Sequence, residues 1–159
     1  MPPSLQPQPE IITLEQYESL PEDKRVEVFD GIVYDMTSPS QIHQAISIQL
    51  STIINNYILR KKGHCSIFNA PFDVKLSDDP LVIVQPDLMV ICDKGKLYYY
   101  QNYGVREYWI VDPKRKTITV NYFENNIVSI QYPFDSTIKV NIYDDLFINF
   151  SAIAMLLDI

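Results

Sequence analysis

The run Val84-Gln85-Pro86-Asp87-Leu88-Met89-Val90-Ile91-Cys92 constrains this chain more than any other stretch. Its apolar residues read as strand, yet proline lacks the N–H that a ladder needs. Aspartate is a poor strand former and is costly to bury without partners. The strand is therefore broken at Pro86, and Asp87 is delivered where its carboxylate can meet water or a ligand. Sixty residues earlier, Glu27 sits inside Arg25-Val26-Glu27-Val28-Phe29-Asp30-Gly31, a second carboxylate on a strand pattern. Carboxylates carried on neighbouring strands are how proteins assemble hard-cation sites for phosphate chemistry.

The remaining signals give a mixed α/β order with antiparallel hairpins at both ends. Thr13-Leu14-Glu15-Gln16 has the form of a capping box and predicts a short helix ending near Pro21. Val26–Phe29 and Ile32–Met36 flank Asp30-Gly31, a strong two-residue hairpin signal. Pro39-Ser40 then precedes the best helix pattern. There Ile42, Ala45, Ile46, Leu50, Ile53, Ile54, Tyr57 and Ile58 recur at three- and four-residue steps. This predicts Ile46, Leu50, Ile53 and Ile54 buried, with Gln41, Ser47 and Asn55 more exposed. Arg60, Lys61 and Lys62 suit the negative helix end, and Gly63 is placed to cap it. Strands are predicted at Cys65–Phe68, Phe72–Leu76, Leu81–Cys92 (interrupted at Pro86) and Glu107–Asp112. A further hairpin is predicted at Lys116–Glu124 and Ile127–Tyr132, turning at Asn125-Asn126. Lys96–Tyr103 reads as a short helix, and Ser151–Leu157 as a final helix capped by Ser151.

At 159 residues the chain fits one domain, residues 11–159, behind an extended leader over residues 1–10 that is not a signal peptide. No apolar run is long enough for a membrane span. Cys65 and Cys92 lack zinc-finger spacing with His43 and His64, and read as buried free thiols in a reducing cytoplasm. The net charge of −7 argues against a broad basic surface that holds nucleic acid. It leaves room for a nuclease, whose acidic centre repels phosphate until a metal is bound.

Three segments carry a resemblance. They are Val26-Glu27-Val28-Phe29-Asp30-Gly31-Ile32-Val33-Tyr34-Asp35-Met36 with Ser38-Pro39 and His43-Gln44, then Gln85-Pro86-Asp87-Leu88, then Lys96, Tyr100 and Gly104-Val105-Arg106-Glu107-Tyr108-Trp109-Ile110-Val111-Asp112-Pro113. On these segments the chain resembles the Uma family of proposed endonucleases, within the PD-(D/E)XK superfamily that shares the restriction-endonuclease fold. The resemblance implies a restriction-endonuclease-like central mixed sheet flanked by helices. It also implies DNA as substrate, magnesium held by Glu27 and Asp87, and Lys96 beside a metal-activated water. In such a site the metal lowers the pKa of bound water and a lysine steadies the charged transition state. A homodimer is expected by analogy with restriction-like nucleases that cut two strands.

The chain departs from that family at one place. A further strand with a glutamate normally lies between the Asp87 strand and Lys96, whereas only residues 93–95 separate Cys92 from Lys96. Three residues, at about 3.3 Å each, cannot supply a strand and two turns. The close fit of both flanking motifs predicts that this junction interrupts a longer chain. The alternative is a non-catalytic descendant that keeps the fold as a binding or assembly module.

Several residues read more simply without a site. His43 lies on the apolar helix and reads as a packed, hydrogen-bonded side chain, and His64 as exposed. The Tyr98-Tyr99-Tyr100 run reads as core or interface rather than a base-stacking platform, and Trp109 as core.

Overall fold

Asp30 and Gly31 both take positive φ, 51° and 76°, which closes the first hairpin with the two-residue turn its sequence predicts. The computed structural model describes residues 10–92, 104–124 and 128–159. In chain order its first elements are α1 (Leu14–Glu18), β1 (Val26–Phe29), β2 (Ile32–Asp35), α2 (Gln41–Arg60), β3 (Ser66–Asn69), β4 (Val74–Asp78) and β5 (Leu81–Val84). They are followed by β6 (Leu88–Ile91), β7 (Glu107–Asp112), β8 (Thr117–Tyr122), β9 (Val128–Pro133), β10 (Thr137–Lys139), β11 (Phe147–Asn149) and α3 (Phe150–Leu157). The class is mixed α+β, and the hairpins β1–β2 and β8–β9 are antiparallel. Among the described residues no helix is long and apolar enough to cross a membrane.

These elements divide between two compact units. The first holds residues up to Ser38 and Asn69–Asp87. Its sheet runs β2-β1-β5-β4, with Val28 opposite Ile83 where β1 meets β5 in antiparallel register. Val28, Leu81 and Ile83 form its core, and Ile12, Leu14 and Tyr17 from the α1 region pack onto it. The expected capping box is present: the Thr13 N–H donates to Gln16 Oε1 at 2.8 Å, and Thr13 Oγ1 accepts from the Gln16 N–H at 3.3 Å.

The second unit holds Pro39–Phe68, the β6 strand and the chain from Gly104 onward. Ile46, Ile54, Tyr57 and Ile58 of α2 cluster with Ile118 and Val120 of β8, Ile148 of β11, and Phe150 and Ile153 of α3. Leu50 and Ile53, expected in the core, are only partly buried beside it. Gln41 and Asn55 are exposed as expected, while Ser47 is half-buried. Trp109 packs against the core, its ring stacked on Phe150 with centroids 6.1 Å apart.

Three local expectations need correction. At the end of α2 the left-handed residue is Lys62, with φ 54°, rather than Gly63. Gly63 instead donates its N–H to the Ile58 carbonyl at 2.8 Å, where an added Cβ would stand 3.4 Å from Ile58 Cγ2. The cap of α3 is Asn149, whose side chain accepts the Ala152 N–H, while the Ser151 hydroxyl donates to the Asp135 carbonyl. Cys65 and Cys92 are not free thiols but a disulfide. One immediately precedes β3 and the other immediately follows β6, and those strands pair in a two-stranded sheet that brings the flanks together. Residues 1–9 of the expected 1–10 leader, the expected Lys96–Tyr103 helix with its Tyr98-Tyr99-Tyr100 run, the Asn125-Asn126 turn and the 93–96 junction lie outside the described residues.

Candidate functional site

Antiparallel pairing of β1 with β5 places Glu27 beside the end of β5, because Val28 stands opposite Ile83. Glu27 alternates with the buried Val26 and Val28, so its half-buried carboxylate leaves the strand away from the core. Its Oε1 accepts the backbone N–H of Gln85 at 2.9 Å.

Gln85 is the hub of the site. It is the only buried polar residue among those described, at 9% exposure, and a buried amide needs its donors and acceptor filled. Its Nε2 donates to Asp73 Oδ1 at 2.7 Å. Its Oε1 accepts from Arg25 Nε at 3.4 Å and from the Arg25 NH2 nitrogen at 3.3 Å. The second oxygen of Asp73 accepts the Tyr17 hydroxyl at 2.8 Å. Burial, and then the Asp73 carboxylate, push the Tyr17 phenol up to about 12. One amide thus joins α1, β1, the start of β4 and the end of β5.

Asp87 lies two residues beyond Gln85, on the bend between Pro86 and β6, and its side chain is exposed. Its carbonyl is fixed by the Ala70 N–H at 3.1 Å and by Asn69 Nδ2 at 3.5 Å. The structure therefore brings Glu27 onto the backbone two residues short of Asp87. Lys96 lies outside the described residues. His43 sits half-buried in the first turn of α2, its backbone N–H donating to Ser40 Oγ at 3.2 Å, and His64 is exposed.

Glu27 and Asp87 suit a hard cation in kind, since magnesium commonly takes one or two carboxylates and completes its shell with water. They do not make a closed cage. Among the described residues no group of three or more His, Cys, Asp or Glu could hold a metal ion. Asp73 is spent on Gln85 and Tyr17.

The second unit has its own shallow concavity of about 440 Å³, lined by Tyr57, Lys61, His64, Tyr143, Asp144 and Asp145. Asp145 is engaged there by the Tyr57 hydroxyl and the Lys61 ammonium, each at 2.5 Å. The hydrogen bonds from Lys61 and then Tyr57 hold its carboxyl below the usual range, and the same contact with Asp145 pushes Tyr57 up to about 12.

Arg25, Asp73 and Gln85 were not singled out by the sequence reading. The signal available for Gln85 was an amide at the end of an apolar strand, directly before Pro86. For Asp73 and Arg25 nothing short of the β4–β5 and β1–β5 registers gives their meeting point.

A sequence profile of the Uma2 family, described as "Putative restriction endonuclease", matches residues 14–99, more than half of the chain. The chain belongs to the Uma2 family. The Uma2 match spans Arg25, Glu27, Asp73, Gln85, Asp87 and Lys96. No curated protein sequence matches this Uma2 chain. Its fold is similar to the crystal structure of "a putative nuclease belonging to DUF820" from Anabaena variabilis ATCC 29413. The TM-score is 0.71 over 92% of this chain and 99% of that chain, at 16% sequence identity. At that identity the likeness is one of fold, which is the restriction-endonuclease-like α+β class expected for the Uma2 family.

Proposed function

We propose that this Uma2 chain is a magnesium-dependent endonuclease that hydrolyses phosphodiester bonds in DNA, with Glu27 and Asp87 holding the cation. The observation that carries the reading is the docking of the Glu27 carboxylate on the Gln85 N–H, two residues from Asp87. That bond orients Glu27 and leaves its second oxygen for a ligand. Asp87 is presented on a bend whose carbonyl is fixed by the Ala70 N–H and Asn69 Nδ2. When bound, the cation would lower the pKa of a coordinated water and offset charge growing on the phosphate oxygens. Lys96, by resemblance, would orient that water. Two copies would act together on the two strands of a duplex.

Incubation of supercoiled plasmid with the protein and Mg²⁺ should give nicked or linear DNA. Asp87→Ala should lower the rate at least ~100-fold, since losing a ligand costs no less than losing a supporting group around a metal. Calorimetry with Mg²⁺ alone should show binding that Asp87→Ala abolishes. Full cleavage by Asp87→Ala would sink the assignment.

A second reading is a non-catalytic descendant that binds without cutting. It is favoured by the short Cys92-to-Lys96 connection and by the lack, among the described residues, of a three-ligand group. DNA binding without Mg²⁺ uptake or cleavage would select it.

A further inference from the structure

We propose that Arg25 is a phosphate-binding residue that grips the DNA backbone beside Glu27 and Asp87, an inference that rests on the nuclease reading above. Arg25 is half-buried immediately before β1, and its carbonyl continues the β1–β2 ladder by accepting the Met36 N–H at 3.0 Å. A guanidinium withdrawn from water normally meets a carboxylate. Here the partner is the Gln85 amide oxygen, a neutral acceptor, reached at 3.3 and 3.4 Å. No carboxylate pairs with Arg25 among the described residues.

Two of its five N–H donors are spent on Gln85, and among the described residues no ion pair takes the others. The Asp73 carboxylate on the other end of the same amide is bonded to Gln85 and to Tyr17. The Gln85 amide thus stands between a guanidinium on its oxygen and a carboxylate on its nitrogen. Glu27 meets the backbone N–H of that same residue, so the guanidinium and the Glu27 carboxylate are both held by Gln85. A planar fork with free donors is suited to phosphate oxygens, which it can take in pairs. In a chain of net charge −7, a fixed cation next to an acidic site also gives the phosphate backbone a reason to approach.

The test is fluorescence anisotropy of a labelled DNA duplex, with Ca²⁺ replacing Mg²⁺ to hold the substrate uncut, over a series of salt concentrations. Each phosphate contact contributes about 0.9 to the slope of log Kobs against log salt on B-DNA. Arg25→Gln should weaken binding about tenfold and make the slope shallower by about 0.9. Arg115→Gln removes the same charge from an exposed side chain paired with Asp112, and should change neither quantity. Arg25→Lys keeps the charge and loses the fork, so it should retain the slope and lose affinity severalfold. An unchanged slope in Arg25→Gln, or an equal loss in Arg115→Gln, overturns the proposal while leaving the nuclease reading intact. If Arg25→Gln does not fold by thermal melting, Arg25→Lys decides: wild-type affinity there overturns the proposal. A wild-type protein that neither binds nor cuts the duplex overturns both.

Discussion

Glu107 shows how a single carboxylate can serve packing inside a segment that carries a family resemblance. Its Oε1 accepts the Trp109 indole N–H at 2.8 Å and its Oε2 accepts the Asn141 N–H at 2.9 Å. Burial raises its pKa, and the two donors oppose that rise. A raised acid pKa gives a contribution to stability that is full below the unfolded value of about 4.3 and lost as pH climbs through the folded value. Glu107→Gln cannot titrate and turns an NH2 toward one of the two donors. It should destabilise by ~1–3 kcal/mol in urea denaturation. The deficit should be larger at pH 4 than at pH 7, because only wild type gains on acidification. A deficit that grows with pH would defeat this account. Glu107 sits in the Gly104–Pro113 segment that was legible as a family signature, whereas its role was not, because Asn141 approaches from 34 residues away.

At the scale of elements, local chemistry was readable wherever the partners were local. The capping box at Thr13, the Asp30-Gly31 turn and the long α2 helix follow from residues within a few positions of each other. Ser40 caps α2 by accepting the His43 N–H, so Ser40→Ala should cost ~1 kcal/mol of stability. The other end was misread, since Gly63 drew the capping role that Lys62 fills. A non-glycine residue in left-handed conformation costs roughly 1–2 kcal/mol, and glycine's greater unfolded freedom takes back part of any gain. Lys62→Gly should therefore stabilise by about 0.5–1 kcal/mol in the same denaturation assay. A loss would mean the Lys62 side chain contributes more than its strained backbone costs. The strands β10 and β11 were missed because each has three residues, too few to show a period of two. Their identity comes from pairing with each other, Ile138 opposite Ile148 in the core.

For the whole molecule, the sequence carried the fold class but not which distant segments meet. The Asp73–Gln85–Arg25 junction and the Cys65–Cys92 bond both depend on strand pairing across intervals that no local pattern encodes. The disulfide has a consequence for the stability of its unit. It joins residues separated by 27 positions, and closing a loop of that size restricts the unfolded chain by an amount worth ~3–4 kcal/mol. Replacing both cysteines with serine should lower stability by about that much relative to the oxidised protein. A phosphine reductant should lower the wild-type melting temperature by several degrees, about 2–4 °C per kcal/mol for a chain of this size. It should leave the double variant unmoved, because that variant has no bond to lose. Alkylation under denaturing conditions should find no free thiol in the oxidised protein and two after reduction. If the reductant shifts wild type and variant alike, or if two thiols react without it, the bond does not hold this unit together.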